Sequence, residues 1–295
     1  MNHGALAAII GTSAAIVALR SLIKTVAPTR LSVLIEGPTG AGKELVAAAI
    51  HEESQRRGAF VPFNVCAIGD SMFEDALFGH ARGAFTGATG DSLGFLREAH
   101  SGTAFFDEVS GLALPLQAKL LRAIETGRFR PVGAKHDAAS DFRVVAATNE
   151  RMGNLVTAGR IRADLAHRVA GVVLSVPRLA ERTEDIPALV RHFLPEGAPT
   201  PARSAIDALV AHEWPGNVRE LRNVVECASV LGGVSVANVH AAISSNRSTS
   251  TDQLAVKRSA LRAKLDEHRW NADLVARDAG VHRATVYRWI KEMRL

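Results

Sequence analysis

Cysteine is almost missing from this chain: Cys66 and Cys227 are the only two in 295 residues. Two isolated thiols exclude a disulfide framework and a zinc site built on paired cysteines. Their scarcity points to a reduced, cytoplasmic setting. Aromatic residues make up 5% and charged residues 22%, against 47% hydrophobic, the composition of a soluble globular protein. The most apolar stretch lies at the N-terminus (GALAAII, then AAIVAL). It lacks the basic n-region of a signal peptide, and Gly11-Thr12-Ser13 breaks it before it could span a membrane. Ile16, Leu19, Ile23 and Val26 recur there at helical spacing behind a Thr12/Ser13 cap, which predicts a packed amphipathic helix. Most of the chain also has no net charge. Of 35 Lys+Arg and 30 Asp+Glu, ten and five fall in residues 254–295, leaving 25 of each before them. The whole excess sits in that last segment, as in a polyanion-binding tail on a neutral body.

A hydroxyl is missing where a common pattern wants one. Residues 31–44, LSVLIEGPTGAGKE, pass from a mostly apolar, β-prone run through Gly37-Pro38-Thr39-Gly40-Ala41-Gly42-Lys43 into a good helix former. Strand, glycine loop and helix is the layout of a phosphate cradle. The glycines let N–H groups turn inward, the helix N-terminus adds partial positive charge, and Lys43 adds a full one. The general pattern follows the lysine with Ser or Thr to touch magnesium; here Glu44 follows. By itself the stretch is either a nucleotide loop or a glycine turn that starts a helix and leaves Lys43 solvated.

Residues 102–108 (GTAFFDE) are an apolar run ending in two acids. In a parallel α/β sheet, ligands sit at the carboxyl ends of the strands, which sets Asp107 and Glu108 beside the phosphates. Asp107 then holds Mg2+ through its shell, and Glu108 polarises the attacking water. The plain alternative is an N-cap for the helix expected over 114–126. Residues 59–66 read as a short strand with polar Asn64 near its end. Residues 142–149 read as a buried strand ending in Thr148 and Asn149, which either sense a γ-phosphate or make a turn. Gly79, Gly83, Gly87 and Gly90 break the intervening segment into a loop tipped by Phe85. A solvated tip gains nothing from a phenylalanine, so a contact surface is expected there rather than a bare hairpin. Arg162 and Arg168 stand six apart, too far out of phase to share a helical face. Unless both are ordinary surface arginines, one leaves the subunit as an arginine finger.

Beyond Val176-Pro177 the β character fades, and the chain to about Ser244 reads as helical. Trp214-Pro215-Gly216-Asn217 is expected to turn and cap a helix over 218–231 that begins with Arg219. Residues 244–252 (SSNRSTSTD) have the composition of a linker. In the tail, Ala276, Gly280, Val286 and Trp289 have the spacing of a helix-turn-helix. Its second helix would present His282, Arg283, Thr285 and Arg288 to a major groove. The alternative is a small three-helix bundle for protein contact; the basic charge favours double-stranded DNA. The expected division is a P-loop domain over 1–176, a helical segment over 177–244, a linker over 245–253 and a DNA-binding domain over 254–295.

Taken together, these runs resemble the bacterial sigma-54-dependent transcription activators, enhancer-binding proteins of the AAA+ class, over nearly the whole chain. The matching runs are GPTGAGKE (37–44), LFGHARGAFTGA (77–88), FFDE (105–108), AATN (146–149), RADL with the following Arg168, and WPGNVREL (214–221). The tail looks like that family's Fis-type helix-turn-helix, and GKE is its own variant of the loop. The resemblance implies an α/β fold: an AAA+ P-loop parallel sheet with helices on both faces, an α-helical lid, and a small all-α helix-turn-helix domain. It implies ATP and Mg2+ as cofactors. Gly37, Pro38, Thr39, Gly40, Ala41, Gly42, Lys43 and Glu44 would surround the phosphates, with Asp107 on the metal and Glu108 as the base. Asn64 would restrain Glu108, Thr148 and Asn149 would face the γ-phosphate, and Arg219 would read it from the lid. Arg162 and Arg168 would act across the interfaces of a hexamer.

The same resemblance gives Gly83, Ala84, Phe85, Thr86, Gly87 and Ala88 the task of engaging sigma-54 RNA polymerase holoenzyme and remodelling its closed complexes. The tail would meanwhile hold an upstream enhancer. Departures from the family pattern are Pro38, Ala41, Ala76, Pro131 and Ala180, with a short segment between Phe193 and Trp214. No receiver or sensor domain is expected ahead of residue 1, so control is expected from a regulator acting in trans or from expression level. Two other classes compete: a repressor-type DNA-binding regulator that uses nucleotide only as an allosteric ligand, and an unrelated P-loop ATPase. The GAFTGA run argues against both, for neither has a use for such a loop.

Overall fold

A computed structural model describes residues 4–195, 198–231, 233–244, 262, 265–268, 271 and 274–275. The expected linker at 245–253 and the expected groove-reading residues His282, Arg283, Thr285 and Arg288 lie outside the described residues.

The N-terminal amphipathic stretch is helix α1 (Ala14–Val26), and its buried residues are Ile16, Leu19, Ile23 and Val26. Ser13 caps it, accepting the Ile16 N–H at 3.4 Å. Strand β1 (Val33–Glu36) leads through the glycine loop into α2 (Lys43–Glu53). Next come β2 (Phe60–Asn64), α3 (Asp70–Phe78), the short α4 (Phe95–Glu98) and β3 (Thr103–Asp107). Helix α5 (Leu114–Thr126) is followed by a two-stranded antiparallel ribbon, β4 (Arg128–Phe129) with β5 (Ala138–Ala139). Strand β6 (Arg143–Thr148), α6 (Met152–Thr157), α7 (Ala163–Val169) and β7 (Val172–Ser175) complete the α/β part.

The main sheet has five strands in the order β2-β3-β6-β1-β7, every neighbouring pair parallel. Parallel strands need crossovers, and the crossovers here carry helices to both faces. Strand alternation divides the core accordingly. Leu34, Ala104, Phe106, Val144 and Ala146 pack with Leu77 of α3, Leu120 of α5 and Leu165 of α7. Their neighbours Val33, Ile35, Phe105, Val145 and Ala147 pack on the other face against α1 and Val46 and Ile50 of α2. Both outer strands are poor templates for extension: β2 carries the exposed Pro62 at its centre, and β7 is four residues long.

Arg143 is a charge that sequence reasoning passed over. It is buried at the start of β6, where Nη2 donates to Val26 O at 3.0 Å, Nε donates to Leu31 O at 3.1 Å, and Nη1 donates to Ala27 O. Two of these carbonyls, Val26 O and Ala27 O, lie at the end of α1, where Val26 O also accepts the Thr29 N–H and hydroxyl; the third, Leu31 O, lies ahead of β1. Burial, with Arg56 nearby, pulls the guanidinium down to about 10. Arg143→Met nearly keeps the volume and removes the guanidinium donors from Ala27 O and Leu31 O, while Val26 O keeps its bonds from Thr29. Urea unfolding is expected to show a loss of about 2–4 kcal/mol, whereas a loss below about 1 kcal/mol would mean that water replaces the guanidinium.

After β7 come α8 (Ile186–Phe193), α9 (Arg203–Val210) and α10 (Asn217–Val230). By contacts the chain divides into two units, Met1–Leu194 with Ile206–Asn223, and Pro195–Ala205 with Val224–Leu295. In the second unit residues 236–244 are helical, and Val225, Ala228, Val239 and Ala242 are buried. No helix among the described residues is long and apolar enough to cross a membrane.

Candidate functional site

The glycine loop lines a cleft of about 450 Å³ within the first unit. Its walls bring together Lys43 and Glu44 from the loop's end, Asp107 and Glu108 from the end of β3, and Arg219 and Arg222 from α10. Ile9 and Ile10 ahead of α1 and Leu189 and Phe193 of α8 give it an apolar side. Helix α2 begins at Lys43 behind Gly42, with no side-chain cap, so its first-turn N–H groups are offered to a ligand. Gly42 has φ +105°, and a Cβ there would point into open space. A Cβ at Gly40 (φ +76°) would sit 2.4 Å from the Gly216 carbonyl, so the loop's curl and its close approach to the Trp214–Asn217 turn both need glycine.

Lys43 is buried to 7% exposure. Its Nζ donates to Gly37 O at 2.9 Å and Pro38 O at 3.4 Å, and stands 3.7 Å from Glu108 Oε1. A cation and a carboxylate thus share the cleft at a spacing that leaves both able to turn to a ligand. Glu108 holds a left-handed backbone at φ +53° and starts the short turn Val109–Gly111. For a non-glycine residue this costs roughly 1–3 kcal/mol, and it turns the carboxylate out of the strand line. Asp107 Oδ1 accepts the Glu108 N–H at 3.1 Å. Oxygen donors at a loop made for anions fit Mg2+, which keeps its waters and takes one or two carboxylates beside phosphate. Cys66 adds no thiolate chemistry here: burial pushes its thiol up, and the Glu108 and Asp107 carboxylates push it further.

Other expected residues stand differently. Asn64 pairs in register with Asp107, but its side chain accepts the Cys66 N–H at 2.9 Å. It caps its own turn. Thr148 is buried, its hydroxyl donating to Glu150 O at 3.1 Å, while its carbonyl accepts the Gly37 N–H at 3.2 Å. Neither Thr148 nor the exposed Asn149 is among the cleft's lining residues. Arg162 and Arg168 are both exposed and also stand away from that lining. Arg162 is fixed at both ends: its N–H donates to buried Gln117 Oε1 at 2.8 Å, and its Nη2 donates to Asp164 at 2.7 Å. That pairing lowers the Asp164 carboxyl. Among the described residues, Arg168 makes one long hydrogen bond, Nη2 to Ile124 O at 3.5 Å.

The Gly83–Ala88 loop closes on itself, the Gly83 N–H donating to Ala88 O at 2.9 Å. Phe85 at its tip is 46% exposed. It is not wholly in water, because its ring meets His80 edge-on at 5.0 Å, and His80 is in turn paired with Asp75. A Cβ at Gly133 would meet Ala84 at 2.7 Å, so the turn after β4 is laid against this loop.

Two participants, Arg182 and Asp185, were missed by sequence reasoning, and a third, Asn217, does more than was expected of it. Asn217 was expected to cap its own helix. It lies within the first turn of α10 at φ +53°; its side chain accepts the Leu179 N–H at 2.9 Å and donates to Thr39 O at 3.1 Å, with a longer local bond to Pro215 O at 3.4 Å. Arg182 is buried, donates to Ala41 O at 3.3 Å, and has its guanidinium lowered by burial, against which Asp185 acts. Asp185 is fully buried and accepts from Thr12 N at 2.6 Å, Ser13 N at 2.8 Å and Ser13 Oγ at 2.6 Å. It sits where the dipole of α1 favours an anion. No local pattern separates Arg182 from Arg178, and only the long-range fold picks them apart.

The chain is similar to known proteins. Residues 9–175 match the family described as the Sigma-54 interaction domain, and residues 180–259 match the AAA+ ATPase lid domain. The transcriptional regulator VasH of Vibrio cholerae is 44% identical over 238 residues, covering 77% of this chain and 45% of VasH. The C4-dicarboxylate transport transcriptional regulatory protein DctD of Pseudomonas aeruginosa is 39% identical over 297 residues, covering 97% of this chain and 63% of DctD. The crystal structure of NtrX from Brucella abortus in complex with ADP superposes with a TM-score of 0.73 at 33% identity, covering 97% of this chain and 69% of NtrX. NtrX has also been solved in complex with ATP. The chain spans about half the length of many of the curated relatives it matches. A five-stranded parallel sheet, a glycine loop facing two acids, and a matched domain covering most of the α/β part lead to one conclusion: this chain belongs to the Sigma-54 interaction domain family, with the AAA+ fold and its lid.

Proposed function

We propose that this protein is an ATP-hydrolysing transcription activator that binds upstream DNA and remodels closed complexes of sigma-54 RNA polymerase through the Gly83–Ala88 loop. The observation that carries the reading is one cleft containing the Lys43 loop, Asp107, Glu108 and Arg219, in a chain whose exposed Phe85 loop is built from the same domain. Lys43 and the α2 N-terminus hold the phosphates, and Asp107 orients toward the metal side of the nucleotide. Bound ATP and Mg2+ supply the transferable phosphoryl group and the neutralisation of its charge. Glu108 takes the proton of the attacking water. Arg219 reads the γ-phosphate, and an exposed arginine from a neighbouring copy completes the site, which makes a ring of copies, a hexamer, the working form. NtrX, a relative that binds both ADP and ATP, supports the nucleotide part. The basic excess of residues 254–295 supports the DNA part.

The test is transcription in vitro from a sigma-54 promoter, with ATP compared against a non-hydrolysable analogue. Open complexes should form with ATP alone. Thr86→Ala should keep ATPase activity and lose promoter opening, because the change is confined to a loop away from the cleft. Full activation by Thr86→Ala would remove the loop from the account. Equal output with the analogue would leave a regulator that acts by occupancy.

A further inference from the structure

The outer side of the phosphate loop is held by residues far along the chain. Thr39 O accepts from Asn217 Nδ2 at 3.1 Å, Gly40 O accepts the Arg219 N–H at 3.2 Å, and Ala41 O accepts from Arg182 Nη2 at 3.3 Å. In a trans peptide the N–H of the next residue points opposite to the carbonyl. Binding the carbonyls of 39 and 41 on one side therefore turns the N–H groups of Gly40 and Gly42 to the other, the sense an anion needs. Of these three donors, Asn217 also accepts the Leu179 N–H at 2.9 Å, and its Nδ2 makes a longer local bond to Pro215 O at 3.4 Å. It is 3% exposed, and it opens the helix that brings Arg219 and Arg222 to the cleft.

We propose that Asn217 is a positioning residue that joins the phosphate loop, the Leu179 turn and the first turn of α10 into one body, so that Arg219 changes place only when the loop's carbonyls do. The inference rests on the nucleotide-binding reading above and deepens it by naming what sets the loop's shape. A carboxamide suits the task because it donates on one side and accepts on the other, and asparagine tolerates the left-handed backbone it occupies here.

Two variants of the full chain separate the parts. Asn217→Gly keeps the backbone conformation and removes the bonds to Thr39 and Leu179, with the local one to Pro215 O, without adding charge. Asn217→Asp keeps the bond from Leu179 and sets an oxygen against Thr39 O, and it serves if the glycine variant folds poorly by urea midpoint. Each is expected to weaken binding of a fluorescent ATP analogue by about tenfold or more. A merely structural residue would act independently of Arg219, so the decisive measurement is a cycle with Arg219→Ala. If Asn217 works through that first turn, the double variant loses less affinity than the product of the single losses, by about threefold or more. Multiplicative losses, or unchanged affinity in both single variants while the parent binds, overturn the role of Asn217 alone. A parent chain that fails to bind the analogue overturns the nucleotide reading itself, and this inference with it.

Discussion

Glu108→Gln is expected to lower ATP turnover about 10²–10⁴-fold while leaving ATP binding nearly intact. Glutamine matches glutamate in size and tolerates the same left-handed backbone, so the turn Val109–Gly111 should keep its shape. What goes is the carboxylate's charge, which faces Lys43 Nζ at 3.7 Å, and with it the capacity to take a proton at neutral pH. Binding survives because Lys43 stays buried and bonded to Gly37 O and Pro38 O, and the α2 N-terminus is untouched. The contrast is Lys43→Ala, which removes the full positive charge from the cradle and should abolish binding. Single-turnover phosphate release and a fluorescence titration measure the two halves separately. Turnover within tenfold of the parent in Glu108→Gln would take the base role away from this residue.

The second large effect lies outside the cleft of a single copy. Loss of an arginine finger typically costs 10³–10⁵ in rate, and Arg168→Ala is expected to show a loss of that order. Arg168 is the stronger of the two candidates because, among the described residues, its hydrogen bond is a long one, 3.5 Å to Ile124 O. Arg162 is occupied by its own Asp164, which it holds well below the usual carboxylate range. Mixing Arg168→Ala with Glu108→Gln subunits should restore part of the ATPase activity, since some interfaces then pair an intact arginine with an intact glutamate. No recovery in mixtures that do exchange subunits would place the finger elsewhere or exclude it.

The α/β part was legible because its signals are local and repeated. Val33–Glu36, Thr103–Asp107 and Arg143–Thr148 read as apolar runs bounded by polar residues, and α1 announced its buried face through Ile16, Leu19, Ile23 and Val26. The phosphate loop was legible because glycine spacing encodes backbone shape directly. The ribbon β4–β5 was not, since two-residue strands carry no periodicity. Nor were the bonds of Asn217, Arg182, Asp185 and Arg143, each joining positions more than thirty residues apart. Side chains such as Asn64 and Asn217 have strong local habits, and only one of the two followed them. Asn64 caps its own turn, whereas the tertiary fold pulled Asn217 away.

Pro62 has a consequence for how copies of this protein can meet. A proline in the outermost strand offers no N–H for a further ladder, and the opposite margin of the sheet is only four residues long. Joining through a continuous intermolecular sheet is thereby discouraged at both ends, as is templated aggregation. In the proposed ring, contacts between copies would fall to helices and loops, which can slide and tilt without tearing a backbone ladder.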